Sequence, residues 1–162
     1  MIQQKLPQEV LRGKILATKV LVKKQCKEIK NVETEILEHV GGEDLESAGS
    51  ERLEQIGKGL RDFYICIENA LGFIAHNFDG GIPKGEKVHE LLLDRMALPY
   101  KEIRPPVLDK VLKEKLMDYL QFRLDLEKDA LSVQDLKRVE DLVKQVKSVS
   151  ANVRQQLTDF FA

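Results

Sequence analysis

Apolar residues recur at steps of three and four along most of the chain, and this period predicts helices separated by short breaks. Over Pro7 to Val40 the stripe is Leu11, Ile15, Val22, Cys26, Ile29, Val32 and Ile36 on a lysine- and glutamate-rich background. Pro7 suits a first helical turn, where a missing N–H costs nothing. Gly13 weakens that turn, and Gly41-Gly42 supplies a C-terminal stop. Glu43 to Ser50 is polar and acidic and predicts a loop or a frayed helical start. A second helix is expected from Glu51 to Phe78, striped by Leu53, Ile56, Leu60, Phe63, Ile67, Leu71, Ile74 and Phe78, with a bend at Gly57 and Gly59. Asp79-Gly80-Gly81-Ile82-Pro83 is a turn.

A shorter helix is expected from Lys84 to Met96, followed by a connection marked by Pro99-Tyr100 and Arg104-Pro105-Pro106. The fourth helix is expected from Pro106 or Val107 to Ala130. The fifth is expected from Val133 to Phe161, with Ser132 as its N-cap and Asp135 three residues later. Almost no linker separates these two. The apolar pair Phe160-Phe161 is expected to dock on the bundle or on a neighbouring subunit.

Long helices with short connections bury their stripes best against one another, so the expected architecture is all-alpha. It is an antiparallel four-helix bundle with an additional short helix, a single domain over residues 1–162. A chain of 162 residues suffices for one hydrophobic core. The formal net charge of -1, from 26 basic and 27 acidic residues, argues against a surface built wholly to hold nucleic acid. No apolar run reaches bilayer length and no signal-peptide core is present, so the expectation is a cytoplasmic protein with no membrane contact. Cys26 and Cys66 stand singly and are expected as buried thiols. With three scattered histidines they assemble no metal site, and no cofactor is expected. Phosphate loops and His-Glu-x-x-His are absent.

The most polar break in an apolar stripe is Asp62-Phe63-Tyr64 with Glu68-Asn69 one turn on. Asp62, Tyr64, Glu68 and Asn69 therefore mark either a hydrogen-bonded polar layer or the wall of a cleft or partner surface. His39 and His76 sit near helix C-termini, a favourable electrostatic place. His89 lies in the short helix beside Glu86 and Glu90. Arg123 and Glu127 are spaced to pair, whereas Asp125 and Asp129 would repel. Lys14, Lys19, Lys23, Lys24, Lys27 and Lys30 give the first helix a basic face for RNA or an acidic partner, diluted by Glu28, Glu33 and Glu35.

The runs Leu60-Arg61-Asp62-Phe63-Tyr64 and Ile67-Glu68-Asn69-Ala70-Leu71 are followed by Asp79-Gly80-Gly81-Ile82-Pro83-Lys84-Gly85-Glu86 and His89-Glu90-Leu91-Leu92. Arg104-Pro105-Pro106-Val107 and Tyr119-Leu120-Gln121-Phe122-Arg123 complete the series. In this order and separation they resemble the HepT-like proteins, all-helical toxins that accompany small nucleotidyltransferase antitoxins. The resemblance implies a helical bundle that is usually a homodimer. It also implies either ribonuclease activity or nucleotide transfer onto a tyrosine. The motif behind those activities is an arginine, four to six residues, a histidine, one residue and a tyrosine. Matched from Tyr119-Leu120-Gln121-Phe122, the arginine falls on Arg123, the histidine position on Lys128 and the tyrosine position on Ala130. Matched backward from Leu136, the positions hold Leu120, Asp125 and Glu127. Neither placement supplies the general base or the phenolic acceptor.

The leading expectation is a non-catalytic helical protein that works by self-association or through a nucleotidyltransferase-like protein partner. Its alternatives are a ribonuclease or nucleotide-binding toxin with a rearranged site, and a structural adaptor bundle. Whether it is an enzyme stays open. For catalysis the candidates are Arg123, Lys128 and His89, with Tyr64 as a further stand-in; nothing in the spacing brings His89 or Tyr64 to Arg123.

Overall fold

The computed structural model describes residues 8–42, 44–129, 131 and 135–162. Among them are five helices, α1 (Gln8–Val40), α2 (Ser50–Phe78), the short α3 (Val88–Met96), α4 (Lys110–Lys128) and α5 (Leu136–Phe160), and a 3-10 turn at Leu45–Ser47. The fold is an all-alpha bundle, as the 3.6-residue period requires. None of these helices is long and apolar enough to cross a membrane.

The helices run antiparallel to their neighbours. Thr18 of α1 accepts from Asn77 Nδ2 of α2 at 2.9 Å. At the opposite end Arg52 donates to the carbonyls of His39 and Val40 and so closes the C-terminus of α1. Between them, a Cβ on Gly59 would lie 2.7 Å from Ile36 Cγ1, and one on Gly57 would collide with Leu131. Those two glycines therefore permit close packing of α2; the helix continues through them without interruption. On the other side, the Tyr119 hydroxyl of α4 donates to the Leu142 carbonyl of α5 at 2.6 Å. The predicted stripes meet in one core that includes Ile29, Ile36, Ile67, Leu71, Leu116, Val146 and Leu157.

Two helix starts differ from the sequence expectation. The third helix begins at Val88, not Lys84, because Gly85 holds φ +111, a left-handed backbone that breaks helix. The fourth begins at Lys110, not Pro106. The N–H groups of Val107 and Leu108 bond to the Met96 carbonyl at 2.9 and 3.1 Å, strapping these residues to the end of α3. Asp109 then caps α4, its Oδ1 accepting from the Leu112 N–H at 2.7 Å. The expected Ser132 cap and the start at Val133 lie outside the described residues. At the far end the Phe160 ring packs edge-on against Phe78, centroids 6.2 Å apart, so the aromatic tail docks on its own bundle.

The connection between α3 and α4 is held by a buried ion pair. Arg104 Nε and Nη2 donate to Asp79 Oδ1 and Oδ2 at 2.6 and 2.7 Å, with the two side chains 2 % and 0 % exposed. Further donors reach the carbonyls of Leu98 at 3.1 Å, Pro105 at 3.0 Å and Arg95 at 3.5 Å. The guanidinium thus spends its full donor set, the condition under which a buried charge is tolerated. Removing one partner strands the other. Arg104→Ala is expected to destabilise the fold by roughly 3–5 kcal/mol in urea titration, and Arg104→Lys to recover little, since an ammonium cannot reproduce the fork.

A second buried charge joins α1 to α5. Glu33, with its side chain 2 % exposed, meets Lys30 Nζ at 2.9 Å and Arg154 Nη2 at 3.7 Å. Burial pushes its carboxyl up, but hydrogen bonds from Ser150 and Lys30 and the charges of Lys30 and Arg154 outweigh that and hold it below the usual carboxylate range. A carboxyl depressed in the folded state stabilises above its unfolded pKa of about 4 and loses that contribution as pH falls through the lower folded value. The urea midpoint of the native chain is therefore expected to drop as pH falls below about 4, and Glu33→Gln to flatten that drop.

Candidate functional site

Tyr64 and Glu68 are one turn apart on the face of α2 that looks toward α3 and α4. His89 is the second residue of α3, and Arg123 lies in the C-terminal half of α4. Glu68 joins them. Its Oε1 is 2.7 Å from His89 Nδ1 and its Oε2 accepts from Arg123 Nη1 at 3.2 Å. Arg123 Nε donates in turn to Glu127 Oε1 at 3.2 Å, the pair its spacing predicts. Three helices thus meet at one carboxylate, itself 18 % exposed, with Arg123 at 14 %.

The Tyr64 ring is buried beneath this layer. Its phenol is pushed well above the usual range by burial first, then by the Glu68 charge; Arg123 opposes the rise and Glu90 adds to it. Glu90 therefore belongs to the same electrostatic neighbourhood. A phenol so placed stays protonated at neutral pH and can act only as a hydroxyl.

The sequence candidates divide. Tyr64, Glu68, His89 and Arg123 come together. Asp62 and Asn69, seven residues apart, lie on the opposite, exposed side of α2, where Asp62 Oδ1 accepts from its neighbour Arg61 at 3.1 Å. Lys128 is exposed and does not reach Arg123's partners. It lines a separate cavity of about 300 Å³ with Phe122, Asp125, Asp129, Asp135 and Arg138. There the Arg138 guanidinium stacks over Phe122 at 5.3 Å and bonds Asp125 at 2.9 Å. Asp125 is held low chiefly by a hydrogen bond from Gln121, against burial, with further help from Arg138 and Lys128. Ala130 lies outside the described residues. His39 and His76 stay at their helix ends, away from the cluster. Both thiols are free and half-buried, and burial raises each.

Sequence reasoning did not find the convergence of His89 on Arg123. The signal available was local: Tyr64 with Glu68, and Arg123 with Glu127, each at a spacing of four. The crossing that puts Glu68 between them is set by the packing of three helices, which periodicity does not encode.

Among the described residues no group of three or more His, Cys, Asp or Glu side chains is placed to hold a metal ion. The cluster can do two things. It can pin α2, α3 and α4 together, and it can orient an imidazole through a carboxylate. As an anion site it is poor, because Glu68 and Glu127 both bind the single guanidinium.

The protein is an all-alpha bundle with a polar layer across its second, third and fourth helices. The sequence profile of HepT-like proteins matches residues 55–162, two thirds of the chain, and the protein belongs to that family. No curated protein and no solved structure matches it.

Alkaline titration tests the environment of the cluster. Tyr119, like Tyr64, is raised chiefly by burial, with Asp118 adding to it. Phenolate absorbance of the folded protein up to about pH 11 is expected to be the same for the native chain and Tyr64→Phe, the difference emerging only on unfolding. Arg123→Ala is expected to cost about 1–3 kcal/mol of stability, because it leaves Glu68 and Glu127 short of a charged donor.

Proposed function

We propose that this HepT-like protein acts by association, with itself or with a protein partner such as a nucleotidyltransferase-type antitoxin, and that it does not cleave RNA. The observation that carries this reading is the state of Arg123, the residue matched to the family's motif arginine. Its guanidinium is bonded to Glu68 and Glu127 and is 14 % exposed. A phosphate would have to displace two carboxylates and then sit among them, which is electrostatically unfavourable. The histidine and tyrosine positions of the motif hold Lys128 and Ala130, or Asp125 and Glu127 in the other placement. Neither placement supplies the imidazole or the phenol of the motif.

One observation favours the second reading, a nuclease with a rearranged site. Glu68 orients His89 at 2.7 Å, and the same carboxylate touches Arg123. A carboxylate-held imidazole beside an arginine is a workable base and phosphate clamp once the arginine is released.

Incubating the purified chain with RNA separates the two. The association reading expects no cleavage above buffer, the same result for Arg123→Ala and His89→Ala, and no binding at low salt. Cleavage abolished by both substitutions, with RNA affinity falling steeply as salt rises, would overturn it.

A further inference from the structure

Between Arg12 and Lys27 one face of α1 is left uncovered by the bundle. Arg12, Leu16, Lys19, Val20, Lys23 and Lys27 fall within about a third of a helical turn of one another. Their face lies about a third of a turn from the buried stripe of Val22, Ile29 and Ile36. All six are exposed, and Leu16 and Val20 stand 59 % and 67 % open to water. The strip runs for about 22 Å, four turns of helix. Glu9 and Glu38 share its edge beyond either end, and no carboxylate lies on it between them. It also lies outside residues 55–162, the part that matches the family profile.

Within the chain this arrangement is unfavourable. Lys19, Lys23 and Lys27 follow one another at steps of four, which sets like charges on neighbouring turns. Among the described residues Arg12, Lys19, Lys23 and Lys27 make no ion pair. The next lysine on the same face is neutralised, since Lys30 Nζ reaches Glu33 at 2.9 Å. Leu16, Val20, Lys23 and Lys27 are spaced four, three and four apart, the step of a helix–helix seam. The seam has two open aliphatic positions, and cations surround them.

We infer that this strip docks an acidic helix of a protein partner, about four turns long, whose aliphatic stripe covers Leu16 and Val20 and whose flanking carboxylates meet the lysines. The inference rests on the association reading and gives the chemistry of the partner and the place where it sits. Charge complementarity selects the sign of the partner, and the two aliphatic side chains select its class. A nucleic acid would pair with the lysines but leave Leu16 and Val20 in water, and the strip has no aromatic side chain on which bases could stack. An anionic bilayer is flat and would also meet Glu9 and Glu38, which it repels, whereas a helix of four turns fits between them.

A peptide library tests it, displayed as one helix of a small scaffold and panned on the full chain. Its stripe positions draw from Leu and Ser, and its flanking positions from Glu, Gln and Lys. The native chain is expected to enrich clones that combine Leu in the stripe with Glu on the flanks. Lys19→Glu with Lys23→Glu is expected to switch the selected flanks from Glu to Lys, and Leu16→Ser with Val20→Ser to abolish the preference for Leu. Each pair of substitutions is expected to weaken binding of a clone selected on the native chain by about tenfold. Circular dichroism of these exposed-site variants reports that the helix is intact. No enrichment overturns the inference, and so does enrichment of Glu without Leu or a selection unmoved by the charge reversals. Binding of a single-stranded RNA oligonucleotide or of phosphatidylserine vesicles as tight as that of the selected clones, with the same dependence on Lys19 and Lys23, also overturns it. RNA cleavage by a chain that passes the test would instead remove the association reading and leave the docking strip standing.

Discussion

The bidentate contact between Asp79 and Arg104 is the constraint on which the site depends. Asp79 closes α2 and Arg104 lies in the connection between α3 and α4, so the pair decides where α3 leaves the bundle and where α4 returns. The local backbone serves this contact. Gly80 and Gly81 take positive φ so that the Ala75 carbonyl can accept from both Asp79 and Gly81, at 2.9 and 3.2 Å. Lys101 takes φ +49 in the turn that Tyr100 and Arg104 close with a backbone bond of 3.1 Å. With the connection fixed and Val107 and Leu108 strapped to Met96, α3 has one position, and in it His89 falls on Glu68.

The parts of the fold that depend on burial were legible from the sequence, and those that depend on backbone strain or crossing were not. The stripe from Ile56 to Ile74 located α2 because an apolar face every 3.6 residues has few other solutions. Lys84 to Lys87 carried no comparable signal against helix except Gly85, whose left-handed φ is the reason α3 starts late. Pro105-Pro106 marked the connection, but the Asp109 cap was hidden by a preceding pair of apolar residues that read as helix and are strapped to Met96 instead. In the site, Tyr64 and Glu68 share a face by spacing alone. Asp62 and Asn69 share a different one, more than a third of a turn away, which grouping by sequence proximity had merged.

The chain treats its charges in two distinct ways. The Arg104–Asp79 pair is nearly dry, and Glu33 is a buried carboxylate held by Lys30 and Arg154, whose own charges reach water. They fix geometry more than they add stability. The outer ones on α1 are sorted by sign along 33 residues and make few contacts within the chain.

The Glu68 cluster stands between these two regimes, partly exposed and paired through one shared carboxylate. That intermediate state bears on whether a catalytic reading survives. An arginine that serves a transition state must be preorganised toward substrate, with its donors pointing at empty space where charge will develop. Arg123 is preorganised toward the protein: two of its nitrogens are bound by carboxylates on two helices. Releasing it would uncover Glu68 and Glu127 at the place where phosphate must bind, so each step toward catalysis raises a charge that opposes the next. The same contacts carry no such penalty if their task is to hold α2, α3 and α4 in register. An arginine with that task needs no histidine or tyrosine of a catalytic motif beside it.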